Sequence, residues 1–372
     1  MKVLFLTNIP SPYLVEFFNL LGEHVDLTVL FERKHAADRP ESWKNLEFKN
    51  FKALFPFSFH VGTENGLVPN IAFHLKRSYD IIIFGNFTTP TGILGVRWMK
   101  LNRRPYILAS EGGLAKDGKG FKEKIKKWVI KDAPLILSGC EPGDNYFITY
   151  GANKSNIRRI PFTTLFEKDI VDLNSLESER KRLRKEYQIS DDEFVVMTVG
   201  QYIPRKSIET LINVSLSLDK KHKTWIIGEG PLREDYRKMI ENNGAKHIEI
   251  LDQMTKTELL DRYKAADLFV LPTLYDSWGL VILEAMSQGL PVITTKTCVA
   301  GQELIKDEIN GYLINQKDEA TLKDKIEIIM NDEKLRLEMQ KNNLEQIKWQ
   351  TFENMLIIYL KAFDEFISNK KK

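Results

Sequence analysis

The chain has 372 residues, too many for one ordinary hydrophobic core and enough for two domains of common size. Hydrophobic residues at 43% and charged residues at 28% exclude a disordered, collagen-like or disulfide-rich protein. With 54 Lys and Arg against 51 Asp and Glu the net charge is only +3, so bulk electrostatics gives no ground for a nucleic-acid partner and none is expected.

Residues 1–30 are apolar in pieces but interrupted by Asn8, Pro10, Pro12 and Glu16. No small-residue cleavage site follows a clean apolar run, so they read as a strand and a helix and not as a signal peptide. Short apolar runs at 3–7, 25–31, 81–84, 106–109 and 135–137 have the form of buried parallel strands. Between the last two, Lys119, Lys122, Lys124, Lys126, Lys127 and Lys131 surround Phe121, Ile125, Trp128 and Val129. On a helix these four apolar residues share one face, which fits either an anionic membrane surface or an ordinary core.

A strand-like end at 159–161 gives way to a polar stretch, and a domain boundary is expected within 162–175, before a charged helix at 176–187. The second half repeats the scheme, with strands at 194–199, 224–227, 248–251, 268–271, 292–294 and 312–314 and helices such as 208–218 and 232–242 between them. This alternation predicts two doubly wound α/β units, 1–165 and 166–348, followed by a last segment, 349–372, whose helix carries Phe352, Leu356, Tyr359, Leu360 and Phe363 on one side. Two such units facing each other would form a cleft at the carboxyl ends of their strands, where open sheets place ligands. No stretch approaches the roughly 18 uninterrupted apolar residues of a membrane helix, so any membrane contact would be peripheral. Cys140 and Cys298 fit neither a disulfide framework nor a zinc pattern, and a reducing cytoplasm is the expected home.

The residues with chemistry follow strands. After 268–271 comes a loop with Asp276, Ser277, Trp278 and Gly279, then a helix beginning Leu280-Val281 and carrying Glu284. Asp276 and Ser277 are expected to cap that helix, Gly279 lets a ligand approach the backbone, and the free N–H groups of the first turn suit a diphosphate. Glu284, two turns on, can accept both hydrogen bonds of vicinal ribose hydroxyls. After 194–199 comes Gly200-Gln201-Tyr202-Ile203-Pro204-Arg205-Lys206-Ser207, with cations at a strand-to-helix turn where a diphosphate would bind. Gly228 and Gly230 close the strand 224–227, permitting a tight turn and close ligand approach.

The stretch from Asp276 through Glu284, Ala285, Met286, Gly289, Pro291 and Val292 resembles the Glu-x(7)-Glu signature of the retaining glycosyltransferases of family 4. The loop at 200–207 resembles that family's Gly-Arg…Lys-Gly loop, with Lys206 at the Lys position, Gln201 in place of the Arg and Ser207 in place of the Gly. The turn at 228–231 resembles its Gly-x-Gly-Pro element, and the likeness runs from about residue 194 to 314. The resemblance implies a GT-B fold, with the chain end crossing back onto the first domain. It implies that Lys206, helped by Arg205, neutralises a leaving nucleoside diphosphate, that Asp276 contacts hydroxyls of a donor hexose, and that Gly200, Gln201, Gly228, Gly230, Ser277, Trp278, Gly279, Leu280 and Val281 line the donor. Glu284 would hold the ribose and Met254 would wall the base. Asp276 departs from the family's Glu by one methylene, which bears on the sugar held. In the first domain Glu111, after the strand 106–109, falls near the place where relatives carry a His and is a candidate acceptor contact or base.

The resemblance implies transfer of a hexosyl unit from a nucleotide sugar, with uridine diphosphate the common nucleotide, to a glycan or lipid-linked acceptor, with no cofactor and no metal. A donor-binding but inactive partner subunit is the alternative that the Asp276 and Gln201 departures keep open, together with the lack of any glycine before Gly22 where many relatives carry a pair after the first strand. A nucleotide-sugar epimerase fits the Asp276–Glu284 spacing less well, and a nicotinamide dehydrogenase is disfavoured because residues 3–7 do not open into Gly-x-Gly-x-x-Gly.

Overall fold

A computed structural model describes residues 1–35, 46–110, 120–219 and 221–370. The chain divides into two compact units, Met1–Phe162 together with Phe352–Lys372, and Thr163–Thr351.

The first unit runs β1 (Lys2–Thr7), α1 (Pro12–Gly22), β2 (Asp26–Phe31), β3 (Lys52–Leu54), β4 (Phe59–Val61), β5 (Asn65–Leu67), α2 (Ile71–Leu75), β6 (Ile81–Phe84), α3 (Pro90–Leu101), β7 (Ile107–Ser110), α4 (Phe121–Ile130), β8 (Leu135–Ser138), α5 (Glu141–Thr149) and β9 (Ile157–Arg159). Seven strands form one parallel sheet in the order β3-β2-β1-β6-β7-β8-β9. The central strands are buried almost throughout, all four residues of β6 and of β8, because helices cover both sheet faces; that is why they are continuous apolar runs without alternation. The short β3 and the antiparallel β4–β5 ribbon escape a sequence reading for the opposite reason. They are three residues each and only Gly66 among them is buried, so burial never selected an apolar run.

The second unit runs α6 (Leu173–Glu186), β10 (Phe194–Val199), α7 (Ile208–Leu216), β11 (His222–Ile227), α8 (Arg233–Asn242), β12 (Ile248–Leu251), α9 (Lys256–Ala265), β13 (Leu268–Leu271), α10 (Leu280–Ser287), β14 (Val292–Thr295), α11 (Val299–Leu304), β15 (Gly311–Ile314), α12 (Glu319–Asn331) and α13 (Glu333–Ile347). Its six strands are parallel in the order β12-β11-β10-β13-β14-β15. One core cluster joins Phe194, Val196, Leu268, Val270 and Ile293 to Leu322 and Ile326 of α12, and another joins Ile226 and Ile248 to Ile212 of α7 and Tyr236 of α8. The chain winds outward from β10 to β12 and returns to β13 on the other side of β10. The loops leaving β10 and β13 therefore diverge across a crevice at their carboxyl ends.

The final helix, α14 (Phe352–Lys370), belongs to the first unit. It buries Phe352, Met355, Leu356, Tyr359, Ala362, Phe363 and Phe366. Phe17 of α1 lies between two of these rings, 6.1 Å from Phe352 and 4.9 Å from Tyr359, and Arg158 in β9 grips Glu365 through two guanidinium nitrogens. Among the described residues no helix is long and apolar enough to cross a membrane.

Candidate functional site

The loop after β10 is fixed from beneath. Tyr202 is fully buried and its hydroxyl donates to the carbonyls of Ile226 (2.9 Å) and Leu251 (3.1 Å), tying the loop to the ends of β11 and β12. A 3-10 turn at Pro204–Lys206 follows, and Ser207 adopts the left-handed conformation (φ 49°) where a glycine would be relaxed. The Lys206 side chain is buried and passes beside Gly200, whose added Cβ would lie 3.4 Å from Lys206 Cε. Gly228 and Gly230, expected at a ligand, have backbone in the space a side chain would need: a Cβ on Gly228 would stand 2.1 Å from the Gly200 carbonyl oxygen, and one on Gly230 2.7 Å from the Tyr202 backbone. Both have φ above 140°, and the close approach lets Tyr202 N–H donate to Glu229 O (2.8 Å). Gln201 is half-buried on this loop.

Across the crevice, the loop after β13 is stitched to the start of α11. Val299 N–H donates to Asp276 O (3.2 Å), Ala300 N–H to Trp278 O (2.9 Å), and the buried Cys298 thiol also meets Trp278 O (3.1 Å). Burial, with Asp276 close by, pushes that thiol up to about 11, so it stays protonated. The expected cap is corrected here. Helix α10 begins behind Gly279, at φ 105°, without a side-chain cap; Ser277 is exposed, and the Asp276 carboxylate is turned to other partners. Its Oδ2 lies 2.5 Å from Lys206 Nζ and 3.5 Å from Arg205 Nη1, while Oδ1 accepts from Trp278 N–H at 3.3 Å. Arg205 also donates to Tyr275 O (2.7 Å), and its own carbonyl accepts from Leu274 N–H (2.8 Å). Neighbouring residues in a turn ordinarily diverge, but the 3-10 turn and this loop-to-loop pairing bring both cations to one carboxylate.

Glu284, in the second turn of α10, is half-buried, and among the described residues its carboxylate receives long hydrogen bonds from Thr164 Oγ1 (3.3 Å) and Tyr263 OH (3.5 Å). Burial pushes its pKa up to about 7 against the pull of Lys256, whose ammonium is engaged by Asp169 (2.7 Å) and Thr164 O (2.6 Å). A desolvated carboxylate with weak partners is ready for hydroxyl donors. Thr164, Asp169, Lys256 and Tyr263 lie in none of the motifs, and the first two belong to the polar stretch 162–175 where the domain boundary is expected. Leu280 and Val281 are half-buried, Trp278 is buried, and Met254 is half-buried after β12.

In the first unit Glu111 lies outside the described residues. The buried Glu32, just after β2, was also unread; it accepts from Thr89 Oγ1 (2.5 Å) and Gly66 N–H (2.8 Å), and burial raises its pKa to about 7. The apolar face expected on α4 is divided. Val129 is buried and Ile125 half-buried, whereas Phe121 is 78% and Trp128 42% exposed, and Lys126 lies over the Tyr146 and Tyr150 rings. Lys119 lies outside the described residues.

The loops after β10 and β13, with Asp276 and Glu284, fall within a segment that matches a known family. Residues 179–346 match the sequence model of the glycosyl transferases group 1. The match spans Lys206, Asp276 and Glu284. The capsular polysaccharide biosynthesis glycosyltransferase CapM of Staphylococcus aureus is 27% identical over 323 residues, 78% of this chain and 80% of that protein. The N,N'-diacetylbacillosaminyl-diphospho-undecaprenol alpha-1,3-N-acetylgalactosaminyltransferase of Campylobacter jejuni is 25% identical over 290 residues, 75% and 74% of the two chains. Among solved structures, HepE of Anabaena in complex with UDP superposes with a TM-score of 0.78 at 18% identity, covering 99% of this chain and 100% of that one. The fold is GT-B, two Rossmann-like units each built on a parallel sheet. Over this segment the chain is similar to the glycosyl transferases of group 1, and over most of its length to the two named transferases.

Proposed function

We propose that this chain transfers a hexosyl unit, with retention at the anomeric carbon, from a nucleoside-diphosphate sugar to a hydroxyl of a glycan or lipid-linked acceptor. The observation that carries the reading is the meeting of Arg205 and Lys206 with Asp276 at the carboxyl ends of β10 and β13, with the desolvated Glu284 on the helix that follows. Lys206 and Arg205 offset charge on the leaving diphosphate, an electrostatic contribution of several kcal/mol in preorganised sites. The bond from C1 to the phosphate oxygen breaks, the acceptor oxygen bonds to C1 on the side the diphosphate leaves, and a departing phosphate oxygen takes the acceptor proton. Glu284 holds the ribose. Uridine diphosphate is the first nucleotide to try; HepE was solved with UDP and with UDP-glucose. Transfer proceeds without a metal, so EDTA leaves the rate unchanged.

The setting is surface-polysaccharide or glycoconjugate synthesis at the inner face of the cell membrane. CapM and the Campylobacter transferase favour it by name, and so do the exposed Phe121 and Trp128 among the lysines of α4. A thermal-shift screen over nucleoside diphosphates and their sugars tests the reading, because a ligand of the folded state raises its melting temperature by mass action. Stabilisation by one nucleotide and its sugar is expected, and the absence of any such ligand refutes it. The carboxylate seated on Lys206 is the one observation favouring an inactive partner subunit; donor binding with neither transfer nor donor hydrolysis would establish that instead.

A further inference from the structure

The family likeness assigns the carboxylate at position 276 to the hexose, yet its surroundings give it another partner. Asp276 and Lys206 are both buried, with the carboxylate 2.5 Å from the ammonium and 3.5 Å from the Arg205 guanidinium. The other oxygen is held by Trp278 N–H, and the Asp276 backbone is pinned by Val299 N–H. A carboxylate offers about four acceptor positions; Lys206 and Trp278 N–H take two of them, and the Arg205 guanidinium stands at ion-pair distance. The short Asp side chain, on a backbone fixed to α11, leaves little freedom to turn away from the cations. Two cations and one carboxylate leave a single net positive charge where a diphosphate would bind, and an arriving phosphate meets both its cations and a like charge.

Resting on the donor-site reading, we infer that Asp276 is a resident counter-ion that competes with the nucleoside diphosphate for Lys206 and Arg205, setting diphosphate affinity and release instead of selecting the sugar. Between turnovers it offsets the buried Lys206 ammonium and lies within ion-pair reach of the more exposed Arg205. When a diphosphate arrives the ammonium and guanidinium are shared, and when the product leaves the carboxylate takes them back, which speeds release.

The test is calorimetric binding of UDP and UDP-glucose, or of the nucleotide pair selected by the thermal-shift screen, to the wild type and to Asp276→Asn, Asp276→Ser and Asp276→Glu. Ligand-free melting of each variant establishes that it folds; Ser keeps an acceptor for Trp278 N–H if Asn disturbs the loop. Removing the charge is expected to tighten the diphosphate and its sugar by the same factor, about tenfold, with slower dissociation of both. Asp276→Glu, which keeps the charge, is expected to bind the diphosphate within about twofold of the wild type. A loss confined to UDP-glucose, or unchanged or weaker UDP binding in the neutral variants, overturns the inference while leaving the donor site standing. A wild type that binds no nucleotide overturns the donor-site reading and this inference with it.

Discussion

Replacing Glu284 by Gln should make the protein more stable and worse at holding a nucleotide. Burial moves the Glu284 pKa from 4.5 to about 7, so between those values the folded protein keeps a proton that the unfolded chain has already released. The unfolded state gains as pH rises through that window, and the loss of stability is complete above pH 7. Each pH unit of displacement is worth about 1.4 kcal/mol, which gives roughly 3 kcal/mol for a fully desolvated group. Glu284 keeps some contact with solvent, so about 2 kcal/mol is the working figure. Gln is neutral at every pH and close in shape to the protonated acid. Urea unfolding read by tryptophan fluorescence should therefore give the variant and the wild type equal stability near pH 4, and the variant an advantage of about 2 kcal/mol at pH 8. Nucleotide affinity should fall in the same variant. A stability gap that is absent, reversed or independent of pH would refute the claim that this carboxylate is held out of water.

Gly228→Ala brings a Cβ to 2.1 Å from the Gly200 carbonyl at φ 144° and should cost about 3 kcal/mol or more by urea unfolding; a loss under about 1 kcal/mol would contradict the described approach of the two loops. Lys206→Met strips Asp276 of its nearest cation and should lower stability by about 2 kcal/mol, since Arg205 still compensates in part, and nucleotide binding should disappear from the same calorimetric assay. Cosedimentation with anionic vesicles should be salt-sensitive and fall about fivefold or more on Phe121→Ser with Trp128→Ser; a wild type that does not sediment removes the membrane from the proposal.

The sequence and the structure agree where burial acts on both faces of an element. Runs such as those of β6, β8 and β13 are apolar throughout because helices cover them on each side, so their places were legible to within a residue or two. Lys206 follows β10, and Asp276 and Glu284 follow β13, as their places after apolar runs led one to expect. What the spacing could not carry was direction. Lys206 and Asp276 are 70 residues apart, and nothing in either motif says that one side chain turns onto the other. The same holds for Tyr263 and Thr164 at Glu284, contributed by α9 and by the stretch before α6. The cap expected at Asp276 failed because the loop continues as a bridge to Cys298 before α10 begins.

The position of α14 has a consequence for synthesis. Phe352–Lys370 follows every residue of the second unit along the chain, yet it completes the packing around Phe17 in the first. On the ribosome the second unit therefore has all its strands in hand while α1 still lacks its covering helix. The first unit therefore starts to form before the second and is closed only after it, and its aromatic surface around Phe17 stays uncovered until α14 emerges.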